Sequence, residues 1–296
     1  MKIATAAYPL DWLDSWAQYE DKLAHWVAAA TAQDADLLVF PEYGAMELAT
    51  LDGADVAGDL HRSVHSVCER MEAAATLHLK LAAEYGVHIL GASAPVLGPH
   101  GRVVNRAEFY GPQGQRGHQD KQIMTRFERD LWRISPGGGL KVFDTALGKI
   151  GILICYDSEF PLLGRALAEA DILLVPSCTE TLAGYWRVRI GAMARALENQ
   201  CVVAMASIVG ENPWSPAVDL NTGMGGIFGP PDTGFPATGI LAEGALDRPQ
   251  WTYGEVELSQ IASVRSDGQV LNRLHWTEQD GRGKTASIEP FSAKKP

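Results

Sequence analysis

No stretch of this chain is long and apolar enough to cross a bilayer, which sets aside a helical membrane protein. The first residues, Met1 to Leu10, carry one early lysine, but Asp11 and Asp14 interrupt the apolar run before it reaches the length of a secretory leader. Cationic residues are in deficit, with 25 Lys and Arg against 36 Asp and Glu, a formal net charge of −11. That balance disfavours a nucleic-acid backbone as partner. There is no Cys-x-x-Cys pair among the four cysteines, Cys68, Cys155, Cys178 and Cys201, and a chain of 296 residues does not need disulfide staples. They read as reduced thiols of a cytoplasmic protein. A His-Glu-x-x-His metal motif, short repeats and low-complexity tracts are missing as well. His61, His65 and Glu69 recur four residues apart, but no further ligand pattern accompanies them, so they read as a solvated helix face.

What is present is ordinary globular material, 46% hydrophobic and 8% aromatic, enough for a sizeable core. Short apolar runs alternate with amphipathic stretches. Strands are expected at Lys2–Ala7, Ala35–Phe40, Val87–Gly91, Arg102–Tyr110, Leu140–Asp144, Lys149–Ile154, Ile172–Val175 (stopped by Pro176), Val202–Ala206, Met224–Phe228 and Trp251–Val256. The stretch up to His118 would complete a hairpin with Arg102–Tyr110. Helices are expected at Trp16–Ala32, over a face formed by Val64, Val67, Met71, Ala75, Leu79 and Ala82 and ended by Gly86, at Leu162–Ala170, and at Tyr185–Asn199. In the last of these Trp186, Ile190, Met193 and Leu197 share one face. Glu211–Gly239 should be mostly loop. The mixture points to α/β or α+β layers. Residues 1–277 read as one domain, and 278–296 as a polar tail, mobile or lying on a partner subunit.

Cys155 is the sharpest chemical feature. It follows the apolar strand Lys149–Ile154 and precedes a helix, so it should stand clear of the sheet beside free backbone N–H groups and the positive end of a helix dipole, which favours thiolate. A buried core thiol is the alternative. Glu42 closes the run Leu37-Leu38-Val39-Phe40-Pro41, where the proline ends a strand and delivers the carboxylate to the sheet's C-terminal edge, the ordinary place for ligands in open α/β sheets. Lys121 follows Asp120 at the end of another strand-like stretch. Each of these two, taken alone, is read more readily as a solvated surface residue. A Cys–His pairing stays open through His118. The Gly137-Gly138-Gly139 run leads into a strand rather than a helix, so it reads as a turn and not a phosphate cradle.

Together these segments resemble the nitrilase superfamily of carbon–nitrogen hydrolases. Leu-Val-Phe-Pro-Glu42 resembles its glutamate motif, Asp120-Lys121 its lysine motif, Gly151-Ile152-Leu153-Ile154-Cys155-Tyr156-Asp157 its cysteine motif, and Arg195-Ala196-Leu197-Glu198-Asn199-Gln200 a further block. The resemblance covers nearly the whole chain. It implies a four-layer α-β-β-α sandwich, a Glu42–Lys121–Cys155 triad, no metal or cofactor, and a homodimer or higher homo-oligomer formed by packing sandwiches together. It also implies a second glutamate near the lysine, for which Glu128 in Thr125-Arg126-Phe127-Glu128-Arg129 is the candidate. The backbone N–H of Tyr156 would share the oxyanion with Lys121. Tyr43, Trp132, Glu159, Cys178 and Trp186 are possible pocket residues. Glu159 departs from the family, which often carries arginine there. The exchange reads either as a plain surface substitution or as loss of preference for carboxylate-bearing substrates in favour of neutral or cationic ones. The expected function is hydrolysis of a small amide through an acyl-thioester. A nitrile or N-carbamoyl substrate is the alternative, and a non-catalytic binding protein on the same fold is the competing class.

Overall fold

The computed structural model describes residues 1–98, 101–282, 286, 287 and 289. The strands are β1 (Lys2–Pro9), β2 (Leu37–Val39), β3 (His88–Leu90), β4 (Ala94–Leu97), β5 (Val103–Tyr110), β6 (Arg116–Asp120), β7 (Val142–Thr145), β8 (Gly148–Ile152), β9 (Ile172–Ser177), β10 (Val202–Glu211), β11 (Leu220–Asn221), β12 (Gly226–Phe228), β13 (Ile240–Glu243) and β14 (Gln250–Glu255). The helices are α1 (Trp16–Thr31), α2 (Ala54–Ala57), α3 (Arg62–Tyr85), α4 (Pro161–Ala166), α5 (Leu182–Asn199), α6 (Leu258–Asp267) and α7 (Asn272–His275).

The strands join into a curled sheet with two halves. In one, β6, β5, β3, β2, β1 and β14 lie side by side, with β4 pairing the start of β5. In the other the order is β7, β8, β9, β10, β12, β13. The halves meet where Ala7–Pro9 of β1 pair in parallel with Ser207–Val209 of β10.

Side-chain alternation then builds the layers. Ala4, Ala6 and Tyr8 of β1, with Leu38 and Phe40, face a core completed by Leu23 and Val27 of α1 and Val67, Met71 and Ala75 of α3. Their strand neighbours Ile3, Leu37 and Val39 face a second core shared with β8, β9, β10 and α5. Both faces of these strands are thus apolar, which is why they read as continuous hydrophobic runs. The result is a mixed α/β fold with helices outside and sheet halves inside.

Local signals place most boundaries. Ser15 caps α1 through Gln18 N, and Thr181 caps α5 through Gly184 N. Gly86 ends α3 at φ 69°, a left-handed backbone that glycine adopts without strain. Several expectations shift. Pro176 does not stop β9, which runs on to Ser177; β8 ends at Ile152, so no ladder bond on that side requires the missing N–H. Helix α4 stops at Ala166 and turns follow it. Residues 211–239 carry β11 besides β12. The apolar face of α5 turns outward: Trp186, Ile190 and Leu197 are exposed, while Tyr185, Val188, Ala192 and Ala196 pack inward. Most of the polar segment 278–296 lies outside the described residues; within its described part, Asp280 pairs with Arg165 on α4 at 3.2 Å.

Candidate active site

The loops leaving the C-terminal ends of β2, β8 and β9, with the loop after β6, converge on a cleft of about 880 Å³. Glu42, Lys121, Glu128 and Cys155, drawn from the segments after β2, β6 and β8, all line it. Its floor is a buried ion cluster. Lys121 Nζ donates to Glu42 Oε1 at 2.7 Å and to both oxygens of Glu128, at 2.8 and 2.7 Å. Glu128 also accepts from Tyr43 Oη at 2.7 Å and from the backbone N–H and hydroxyl of Thr125, both at 2.9 Å. Glu42 Oε1 accepts a further bond from Asn105 Nδ2 at 2.9 Å, and Oε2 accepts from Cys178 N at 3.1 Å.

Lys121 is 1% exposed, so its charge survives only because two carboxylates face it. Burial opposes that charge, yet Glu42 and Glu128 outweigh it and hold the ammonium well above the ordinary lysine range. The two carboxylates part company. Burial pushes Glu42 up to about 7, helped by the nearby charge of Glu128 and resisted by Lys121. Burial works against ionised Glu128 too, but the bonds from Lys121, Tyr43 and Thr125 bring it below its usual value. One carboxylate is a fixed counter-ion, and the other is poised to exchange a proton near neutral pH.

Cys155 sits at φ 49° between β8 and a single 3₁₀ turn, Cys155–Glu159. A left-handed backbone on a residue with a side chain stores about 1–3 kcal/mol of strain. Ser158 Oγ on the Cys155 carbonyl, at 2.7 Å, helps hold it. The buried carboxylate of Asp157 ties this turn to the lysine loop, accepting from Ile154 N (3.3 Å), Gln122 N (3.1 Å) and Ile123 N (2.9 Å). Burial, opposed by these donors, raises Asp157 to about 6.

The expectation of a thiolate-favouring helix end is corrected. The turn after Cys155 is one short 3₁₀ segment, too short for a substantial dipole. Burial and the charge of Glu42 push the thiol well above its ordinary value, so at rest it is protonated. Its sulfur lies 3.7 Å from the Cys178 carbonyl and neighbours the Glu42 carboxylate.

The other expected residues divide. Tyr43 and Trp132 line the cleft and pack together at a ring separation of 4.5 Å. Trp132 is anchored by its indole N–H to the Leu60 carbonyl at 3.0 Å. The Tyr156 N–H lies in the first turn of the 3₁₀ segment, where backbone donors have no partner within the helix. Glu159 stands at the rim with Arg187 of α5 at 3.8 Å, and burial raises its carboxyl. The Cys178 thiol lines the cleft beside Asn221, at 3.3 Å. Trp186 is displaced from the site: α5 turns it outward over the Arg189 guanidinium, 5.0 Å from the ring centroid, and it does not line the cleft. His118 lies on β6 and does not line it either. The sequence reading missed Asn105, Thr125 and the clasp role of Asp157. Asn105 and Thr125 carry no local signal, and the asparagine is set among the alternating residues of a strand.

Comparison with known proteins gives this geometry a lineage. The chain belongs to the carbon–nitrogen hydrolase family, whose model matches residues 2–279. It is 33% identical over 273 residues to the probable hydrolase YhcX of Bacillus subtilis, covering 91% of this chain and 52% of that one. It is 32% identical over 148 residues to the deaminated glutathione amidase of Yersinia enterocolitica, covering 45% of this chain and 51% of that protein. The chain thus spans about half the length of the curated relatives it matches. Among solved structures, Nit3 of Saccharomyces cerevisiae, a member of branch 10 of the nitrilase superfamily, superposes with a TM-score of 0.69 at 22% identity, covering 90% of this chain and 93% of that one. A carbon–nitrogen hydrolase of Helicobacter pylori gives 0.73 at 19% identity, covering 90% and 92%. At these identities the superpositions establish the fold.

Proposed function

We propose that this protein hydrolyses the carbon–nitrogen bond of a small amide through an acyl-thioester on Cys155. The observation that carries the reading is the Lys121 ammonium, buried at the cleft floor and bonded at once to Glu42 and Glu128. A solvent-shielded Glu–Lys–Glu cluster beside a buried thiol is costly to build, and acyl transfer uses each part of it. Glu42 takes the thiol proton as sulfur attacks the carbonyl carbon. Lys121 and the Tyr156 N–H receive the oxyanion. Glu42 then gives its proton to the departing nitrogen, and the C–N bond breaks. Water, deprotonated by Glu42, cleaves the thioester and restores the thiol. Glu128 keeps the ammonium in place throughout.

A panel of amides, nitriles and N-carbamoyl compounds, screened for ammonia release against Cys155→Ala, tests the reading. Ammonia and acid from an amide, lost in the variant, support it. Carbon dioxide accompanying ammonia would move the substrate to the carbamoyl class, and turnover surviving in Cys155→Ala would end the proposal. Glu159 at the rim supports neutral or cationic substrates over carboxylates only so far as Arg187, 3.8 Å away, leaves its charge uncompensated. A homodimer is supported by the outward apolar residues Trp186, Ile190 and Leu197 of α5, an area that water would otherwise wet. A reducing compartment such as the cytoplasm suits a mechanism that needs Cys155 as a free thiol.

A further inference from the structure

We infer that Asn105 is a positioning residue that saturates one oxygen of Glu42 and thereby assigns the other, Oε2, to carry the proton. The inference rests on the reading of Glu42 as general base and deepens it to the atom.

A carboxylate oxygen has two in-plane acceptor sites. Both sites of Oε1 are taken, by Lys121 Nζ at 2.7 Å and Asn105 Nδ2 at 2.9 Å. Oε2 holds one donor, Cys178 N at 3.1 Å, and keeps one site open. The Cys155 thiol neighbours the Glu42 carboxylate, and with both sites of Oε1 filled the open site of Oε2 is the one left to take its proton. During attack the S–H proton passes to Oε2 while the sulfur electron pair forms the C–S bond. On collapse the same proton goes from Oε2 to the nitrogen as the C–N bond breaks. Oε1 stays bonded throughout, so the carboxylate need not rotate between the two transfers.

A second observation points to the same role. Asn105 is fully buried, does not line the cleft, and its Oδ1 has no hydrogen-bond partner among the described residues. A stranded buried acceptor is unfavourable. The amide could reverse only by setting its oxygen against Glu42 Oε1, two acceptors face to face. The fold tolerates the stranded oxygen and keeps the donor on Glu42. Asn105 also accepts Lys121 N at its backbone carbonyl, at 2.9 Å, so one residue of β5 touches two members of the triad.

The test uses the full chain and iodoacetamide, an alkylating amide that needs no knowledge of the substrate. Alkylation of Cys155 is followed by mass spectrometry between pH 5 and 9 for the wild type, Asn105→Ala, Asn105→Asp and Glu42→Gln. The groups facing Glu42 are Lys121, Glu128, Cys155, Cys178 and Tyr43, and all are kept in the Asn105 variants. Losing a donor to the ionised carboxylate disfavours that form, so the acid limb should move to higher pH by about one to two units, and the rate at pH 7 should fall about tenfold or more. Asn105→Asp keeps the shape but not the neutral donor, and should move the limb at least as far as alanine. Thermal melts report folding; if the alanine variant does not fold, the isosteric aspartate carries the test. A limb unmoved in either variant, or restored to wild type by aspartate, reduces Asn105 to packing and overturns the inference. Glu42→Gln separates the two layers of the argument. If it alkylates like the wild type, the general-base reading itself fails; if it is inert while the Asn105 variants match the wild type, only the positioning role fails.

Discussion

Glu128→Gln should move the acid limb of the pH–rate profile in a direction set by the geometry of the buried cluster. Glu42 and Glu128 accept from the same Lys121 nitrogen, and the two contacts, 2.7 and 2.8 Å, cap the separation of those oxygens at about 5.5 Å. At an effective dielectric of about 20, two like charges at that distance repel by roughly 3 kcal/mol, or about two pH units. Glutamine removes this repulsion and leaves Lys121 to pair with Glu42 alone. Both effects favour ionised Glu42. The limb, near 7 in the wild type from the value of Glu42, should therefore fall to between about 5 and 6. The rate constant itself should drop, because the ammonium loses one of its two anchors. The assay is kcat/KM against pH on any amide the screen identifies, with iodoacetamide alkylation of Cys155 in parallel. A limb that stays near 7, or moves to higher pH, would refute the claim that charge from Glu128 helps set the basicity of Glu42.

The other predictions use different handles. Lys121→Ala removes an oxyanion donor, which costs about 2.7–4 kcal/mol in comparable sites, so turnover should fall by about two to three orders of magnitude; it also leaves two buried carboxylates without a counter-ion, so the melting temperature should drop, and drop more at pH 8 than at pH 5. An unchanged melt would contradict the burial argument, and near-normal turnover would discard the oxyanion role. Iodoacetamide should modify Cys155 ahead of Cys201, which lies inside the core at 0% exposure, as peptide mapping would show. Asp157 gives a stability test in which the sign is fixed. Its folded value near 6 lies above the ordinary 3.8, so the folded state holds the proton more tightly, and the stability this confers is full below about pH 4 and lost as pH rises through 6. Asp157→Asn lacks that loss. Its stability relative to wild type should therefore rise by roughly 3 kcal/mol at most between pH 4 and pH 7, and denaturant melts showing the opposite slope would exclude the assignment.

Two of the cleft residues were legible in the sequence because they sit at the end of an apolar run, Glu42 after Leu37–Pro41 and Cys155 after Lys149–Ile154. Lys121 follows the polar strand β6, Arg116–Asp120, and was singled out only by the motif resemblance. Features that depend on pairing were not legible. Asn105 looks like any polar residue on a strand until β5 is placed beside the lysine loop. Pro176 looks like a terminator until β8 is seen to end before reaching it. Trp186 looks like a pocket residue because it falls near the family motifs in sequence, but the inward face of α5 is spent on Tyr185, Val188, Ala192 and Ala196. The thiol shows the same limit in its energetics. Its position at a strand end suggested activation by a helix dipole, whereas its protonation depends on burial and on Glu42, a residue more than a hundred positions earlier. A nucleophile with a raised value and a base poised near 7 form a resting pair that holds its proton on sulfur. In the proposed mechanism the transfer to Glu42 becomes favourable only as the carbonyl carbon arrives and Lys121 takes up the growing negative charge, so the ammonium that restrains the base in the resting site would also be what lets the sulfur react.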